Sequence, residues 1–167
     1  QYSVAWLDCR AKGKKSGRSV VFSGSHVDSE DKPSPKPVKV IKRMQLNLPF
    51  NSPAFLLNSL TIGLFNGTYY KFAGKQAQKK IHFDSYFFPL DRINNWNRLY
   101  GGRGFLQYQF VIPTDSARLG IGEILRQVRA SGKGSFLSVL KKFGAANKNY
   151  LSFPMEGYTL ALDFKFE

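Results

Sequence analysis

Residues 105–112, Phe-Leu-Gln-Tyr-Gln-Phe-Val-Ile, alternate at period two and are closed by Pro113. Alternation of this kind belongs to a strand. It puts Leu106, Tyr108, Phe110 and Ile112 on one apolar face and Phe105, Gln107, Gln109 and Val111 on the other. Two amides flanked by Phe and Val suit the semi-polar wall of a pocket, and they equally suit an ordinary half-exposed strand.

Two later segments repeat the pattern. In residues 158–167, Tyr158, Leu160, Leu162, Phe164 and Phe166 form a core face while Thr159, Ala161, Asp163 and Lys165 look away. In residues 135–143, Lys141 shares a face with Leu137, Val139 and Phe143. Three strands with one strongly apolar and one mixed face predict an α+β fold: a mainly antiparallel β-sheet, helices packed on one face, the other face open.

The remaining elements follow from spacing and punctuation. Residues 2–9 and 18–25 read as a hairpin whose basic tip, 10–17, is either a solvated turn or an anion contact. Phe55, Leu56, Leu60, Gly63 and Leu64 predict a buried helix over 54–65, capped by Ser52, started by Pro53 and ended by Asn66-Gly67. Asn66-Gly67-Thr68 also matches a glycosylation sequon. Residues 81–88 alternate as a strand, and 89–100 read as irregular helix. A second helix over 116–130 is expected, with Thr114 or Asp115 as cap and Gly132 at its end. Residues 26–53, with Pro33, Pro35 and Pro37, form an irregular insertion, either a linker or a recognition peptide, with a short edge strand at 38–43. Gly101-Gly102-Arg103-Gly104 enters a strand rather than leaving one for a helix, so it is a turn and not a phosphate cradle.

Composition narrows the function classes. At 167 residues the chain is one domain able to bury a core, and 15 Phe and 8 Tyr exclude a wholly disordered chain. Against 11 acidic residues stand 25 Lys and Arg, a formal charge of +14. This attracts polyanions without choosing among nucleic acid, an anionic membrane surface and a phosphorylated substrate. One cysteine, Cys9, and two histidines, His26 and His82, make neither an internal disulfide nor a spaced zinc set. No nucleophile triad or carboxylate pair stands out, so no catalytic residue is assigned. The chain opens at Gln1 and closes at Glu167 inside strand-like patterns, which points to a single domain, 1–167, excised from a larger protein.

The ordered blocks 96–113, 135–144 and 151–164, together with Val4-Ala-Trp-Leu-Asp8, Gly17-Arg-Ser-Val-Val21 and Phe87-Phe-Pro-Leu-Asp91, carry a resemblance. They resemble the substrate domain of the decaprenylphosphoryl-β-D-ribose oxidases, flavoenzymes of the vanillyl-alcohol-oxidase type. The resemblance implies a sheet whose open face closes over the FAD isoalloxazine, with FAD held mainly by a separate FAD-binding domain. It implies that Gln107, Gln109, Lys141, Phe143, Thr159, Ala161 and Phe87 line the substrate pocket, with Gln109 and Lys141 also reaching the flavin. Phe87 falls where the family pattern has Tyr, Thr159 where it has Asn, and Ala161 where mycobacterial members have a cysteine attacked by nitroaromatic inhibitors. A catalytic lysine of the family would lie beyond this chain. The function so implied is oxidation of a sugar or sugar-alcohol hydroxyl, a polyprenyl-phosphate-linked pentose included, in a cytoplasmic or membrane-associated bacterial protein. The competing reading is a non-enzymatic polyanion or nucleic-acid binder. It is disfavoured because most aromatics fall on predicted core faces, and no binding to single-stranded nucleic acid at low salt would eliminate it.

Overall fold

The computed structural model describes residues 2–27, 45–53, 55–73, 78–135, 137–150 and 155–166. Five strands form one antiparallel sheet: β1 (Tyr2–Leu7), β2 (Ser19–Gly24), β5 (Phe105–Ile112), β6 (Ser138–Phe143) and β7 (Gly157–Lys165), in the order β2-β1-β6-β7-β5. A two-stranded parallel pair, β3 (Leu46–Asn47) with β4 (Ile93–Asn94), lies apart from it. The predicted hairpin is β1–β2, paired from Tyr2 with Gly24 to Leu7 with Ser19. The long ladder is β5–β7, eight pairs from Phe105 with Lys165 to Ile112 with Tyr158. The proline-rich stretch and the edge strand expected at 38–43 lie outside the described residues.

The helix α3 (Thr114–Ala130) covers one sheet face. Leu125 and Val128 from the helix pack with Leu7, Cys9, Leu160 and Leu162, and Phe110, Ile121, Ile124, Leu140 and Phe164 close around them. Thr114 and Asp115 do not cap this helix. Pro113 occupies the cap position without a side-chain bond, and Asp115 sits inside the first turn, where its charge faces the positive end of the helix dipole. The apolar face of β5 is only partly core. Phe110 and Ile112 are half-buried, but Leu106 and Tyr108 remain 58% and 60% exposed, because β5 is an edge strand whose far end α3 does not reach.

Two predicted elements differ. The helix expected over 54–65 is α1 (Ser59–Ala73). Its cap is Asn58, whose Oδ1 accepts from the amides of Leu60 and Thr61 at 2.8 and 3.0 Å, and not Ser52. Nor does Asn66-Gly67 end it. Asn66 is fully buried and donates to Asp8 Oδ1 at 2.8 Å, so the helix buries the stripe Ile62, Asn66 and leaves Leu60 and Leu64 exposed. The expected strand at 81–88 is instead a short helix, α2 (Phe83–Phe87). His82 Nδ1 accepts from Asp84 N at 3.4 Å, and Phe88 N bonds back to Asp84 O at 2.9 Å, so these backbone groups are satisfied locally rather than by the sheet. His82 is thus a helix cap.

A buried ionic knot ties the hairpin to α1. Asp8 is 2% exposed and meets Arg18 Nε at 2.7 Å, Asn66 Nδ2 at 2.8 Å and its own turn through Arg10 N at 3.1 Å. Arg18 also lies over the ring of Tyr70 at 4.9 Å. Tyr69 of α1 packs on Trp6, and Tyr86 of α2 donates to the carbonyls of Tyr2 and Phe22. These helices therefore border the second sheet face along β1 and leave its β6-β7-β5 part open.

Candidate functional site

In an antiparallel sheet directly paired residues share a face, so the register itself assembles the site. Gln109 pairs with Ala161, Ala161 with Val139 and Val139 with Trp6, giving one row across four strands. The next row runs Val111, Thr159, Lys141, Val4. Gln107 pairs with Asp163 on one side, and Phe143 pairs with Gly157 on the other. Five of the residues singled out in the sequence, Gln107, Gln109, Lys141, Thr159 and Ala161, thus lie together on the face opposite α3.

Their environments differ. Thr159 is 1% exposed and accepts from Gln109 Nε2 at 3.1 Å. Lys141 is exposed and is paired with Thr159 in the register. Ala161 and Val139 are half-buried and stand between Gln109 and Trp6 in their row, with Lys141 in the row beside them. Phe143 stands at the upper end of β6, where β7 approaches β5 so closely that a Cβ on Gly157 would overlap the Ile112 carbonyl. Phe87, on α2 rather than a strand, packs edge-on to Tyr2 at 5.0 Å. It therefore sits at the β1 corner of the same face, against Tyr2, which lies two residues along β1 from Val4, the partner of Lys141.

At the lower end the face is walled by the 3₁₀ turn Trp96–Tyr100. The turn 101–104 takes the chain into β5 with Gly101 and Gly104 at φ of 83° and 78°, which only glycine adopts without strain. Tyr100 stacks on Phe105 at 4.5 Å, and Trp96 packs on the same ring at 5.3 Å. Tyr100 is 2% exposed, and its hydroxyl donates to Asp163 Oδ2 at 3.3 Å. Gln107 Nε2 donates to Asp163 Oδ1 at 2.8 Å. Burial raises the Asp163 carboxyl above its ordinary range, and the two donated bonds oppose that rise. Burial, then the neighbouring Asp163, push the Tyr100 phenol upward as well. Asp163 and Tyr100 were not among the sequence candidates. Alternation placed Asp163 on the mixed face, but nothing in the sequence pairs it with a tyrosine 63 positions away.

This face is an open wall. Two concavities lie elsewhere, one along α1 between Phe65, Tyr69 and Phe72, the other between Asn58, Ile62, Gly134 and Phe164. No group of three or more His, Cys, Asp or Glu side chains able to hold a metal occurs among the described residues. None of their helices is long and apolar enough to cross a membrane. What the wall offers is a lysine and two glutamine side chains around Ala161 and Val139.

No protein-family model matches the chain. It is 24% identical over 172 residues to an uncharacterized protein in the mprA 5' region of Streptomyces coelicolor, which covers 97% of the chain and 46% of that protein. It is 37% identical over 166 residues to the decaprenylphosphoryl-beta-D-ribose oxidase of Mycolicibacterium smegmatis, covering 98% of the chain and 36% of the oxidase. The chain spans less than half the length of either curated relative. Over nearly its whole length, the chain is therefore a relative of decaprenylphosphoryl-β-D-ribose oxidase and corresponds to a part of that enzyme.

Proposed function

We propose that this chain is the substrate-binding domain of an FAD-dependent oxidoreductase that oxidises a sugar hydroxyl, the sugar being carried on a polyprenyl phosphate. The observation that carries the reading is the mixed face, where Gln107, Gln109, Lys141 and Thr159 converge around Ala161 on a sheet whose other face is filled by α3. The relative's name supports the substrate class, since that enzyme acts on a decaprenylphosphoryl pentose.

The donor set fits a flavin. Val139 and Ala161 offer small side chains over which a planar ring could lie, with Gln109 at one end of their row and Lys141 in the row beside it as groups able to bond a heteroaromatic edge. Gln109 and Lys141 would hold the ring on this side, and a separate domain of the full-length protein would supply the rest of the FAD site. FAD held there would supply the acceptor for a hydride from the sugar carbon. The chain's own part is positioning. Gln107 and Gln109 orient hydroxyls, the Lys141 ammonium attracts anionic oxygen, and Phe143, Phe87 and the turn carrying Trp96 and Tyr100 close the rim against water. The chain's excess positive charge favours the phosphate of such a substrate and an anionic membrane that presents it.

In the full-length protein, Gln109→Ala should lower turnover of a short-chain polyprenylphosphoryl ribose by about tenfold or more while FAD stays bound, as expected for loss of one positioning hydrogen bond. Undiminished turnover with FAD bound would remove Gln109 from the pocket.

A further inference from the structure

We propose that Asp163 is a positioning residue that locks the Gln107 amide so that its carbonyl oxygen is turned toward a ligand on the mixed face. The inference rests on reading that face as the sugar-binding wall and deepens it, because it names what the ligand must present at this point: an O–H donor.

An ionised carboxylate only accepts hydrogen bonds. Asp163 is 1% exposed and lies directly opposite Gln107 in the β5–β7 ladder, with Gln107 Nε2 at 2.8 Å from Oδ1. A reversed amide would set Oε1 against Oδ1 in a spot closed to water, leaving two acceptors without a donor. The carboxylate cannot turn away to relieve that conflict. Its other oxygen receives the Tyr100 hydroxyl, and Tyr100 is itself pinned by stacking on Phe105. The backbone around Asp163 is held too, since its N–H meets Ser135 Oγ at 3.3 Å and Leu137 O at 3.4 Å. Burial raises the Asp163 carboxyl above its ordinary range, and the bonds from Gln107 and Tyr100 oppose that rise. With one N–H of its amide held inward by Asp163, the exposed Gln107 side chain has its oxygen turned toward the ligand.

The test uses the full-length flavoprotein with a short-chain polyprenylphosphoryl ribose and its deoxy and deoxyfluoro analogues at the ring hydroxyls that are not oxidised. Fluorine cannot donate, so wild type should handle the deoxy and fluoro analogues equally poorly at one ring position, with KM raised about tenfold. Asp163→Asn can donate from Nδ2 to Gln107 Oε1 and let the amide turn over. It should raise KM for the parent sugar about tenfold, change kcat less, and prefer the fluoro to the deoxy analogue at that position. Tyr100→Phe leaves the Gln107 bond in place and should keep the wild-type ranking. If Asp163→Asn keeps the wild-type KM and ranking while Gln107→Ala raises KM, the positioning role is overturned and the sugar-binding wall stands. If Gln107→Ala leaves KM unchanged, the wall itself is wrong. Should Asp163→Asn not fold, the wild-type ranking alone decides, because a fluoro analogue used as well as the parent at every position overturns the acceptor assignment.

Discussion

Alternate residues of β7 enter two different interiors. Leu160 and Leu162 point toward α3 and are 0% and 1% exposed, while Thr159 and Asp163 point the other way and are each 1% exposed. Equal burial is reached by unequal means. On the covered face a helix lays apolar area over the strand, and many non-directional contacts add up. On the mixed face nothing so large is present, and burial comes from β5 side chains and the turn carrying Tyr100 reaching over with directed bonds. Stability is thus concentrated on one face. On the proposed reading, the other face keeps the outward ends of its exposed polar groups for a ligand.

The contrast can be broken most strongly from the apolar side. Leu160→Ala removes a side chain at the centre of the α3 contact and should cost about 3 kcal/mol in urea unfolding, since little around it can collapse into the space. Ligand KM should move far less than stability does. A loss near zero would mean that α3 does not hold the sheet.

Thr159→Val is the matched probe on the mixed face, equal in shape and lacking only the hydroxyl that receives Gln109. The expected cost is about 1 kcal/mol, because Gln109 is exposed and can turn to water. In the full-length protein KM should rise more than stability falls, the reverse of Leu160→Ala. If both variants shift stability and KM in the same proportion, the division of labour between the faces fails.

How far all this was legible in the sequence depends on the range of the interaction. Residues 105–112 have the strand bounds that alternation implies, because period-two patterning is a local property and Pro113 closes it. The pairing of Gln107 with Asp163 and of Gln109 with Thr159 was not legible, since strand register depends on two segments about 50 residues apart. In α1 two polar residues could serve as cap, and Asn58 prevails over Ser52 because its side chain meets both the second and third helical amides. Leu60 and Leu64 have helical spacing yet face outward, since the stripe chosen for burial is the one that lets Asn66 reach Asp8. Residues 81–88 alternate in polarity over too short a run to separate a strand from one helical turn capped by His82.

The smallest expected effect on stability, and the sharpest on access, comes from Ala161→Cys. Ala161 is half-buried on the open face, so one added sulfur meets little resistance and should change stability by less than about 0.5 kcal/mol. The native Cys9 provides the internal reference from the covered side. It is 0% exposed, its thiol donates to the Ser135 carbonyl at 2.9 Å, and burial pushes its pKa up to about 11. A thiolate reacts and a thiol does not, so Cys9 should be silent toward a maleimide at neutral pH while the folded variant takes up one label. Urea should expose Cys9 in both proteins. A sugar-phosphate ligand seated on the mixed face should slow labelling of the variant and leave Cys9 as it was. Labelling of native wild type, or a variant whose reaction ignores the ligand, would show that the two faces are not the closed and open surfaces that β7 divides.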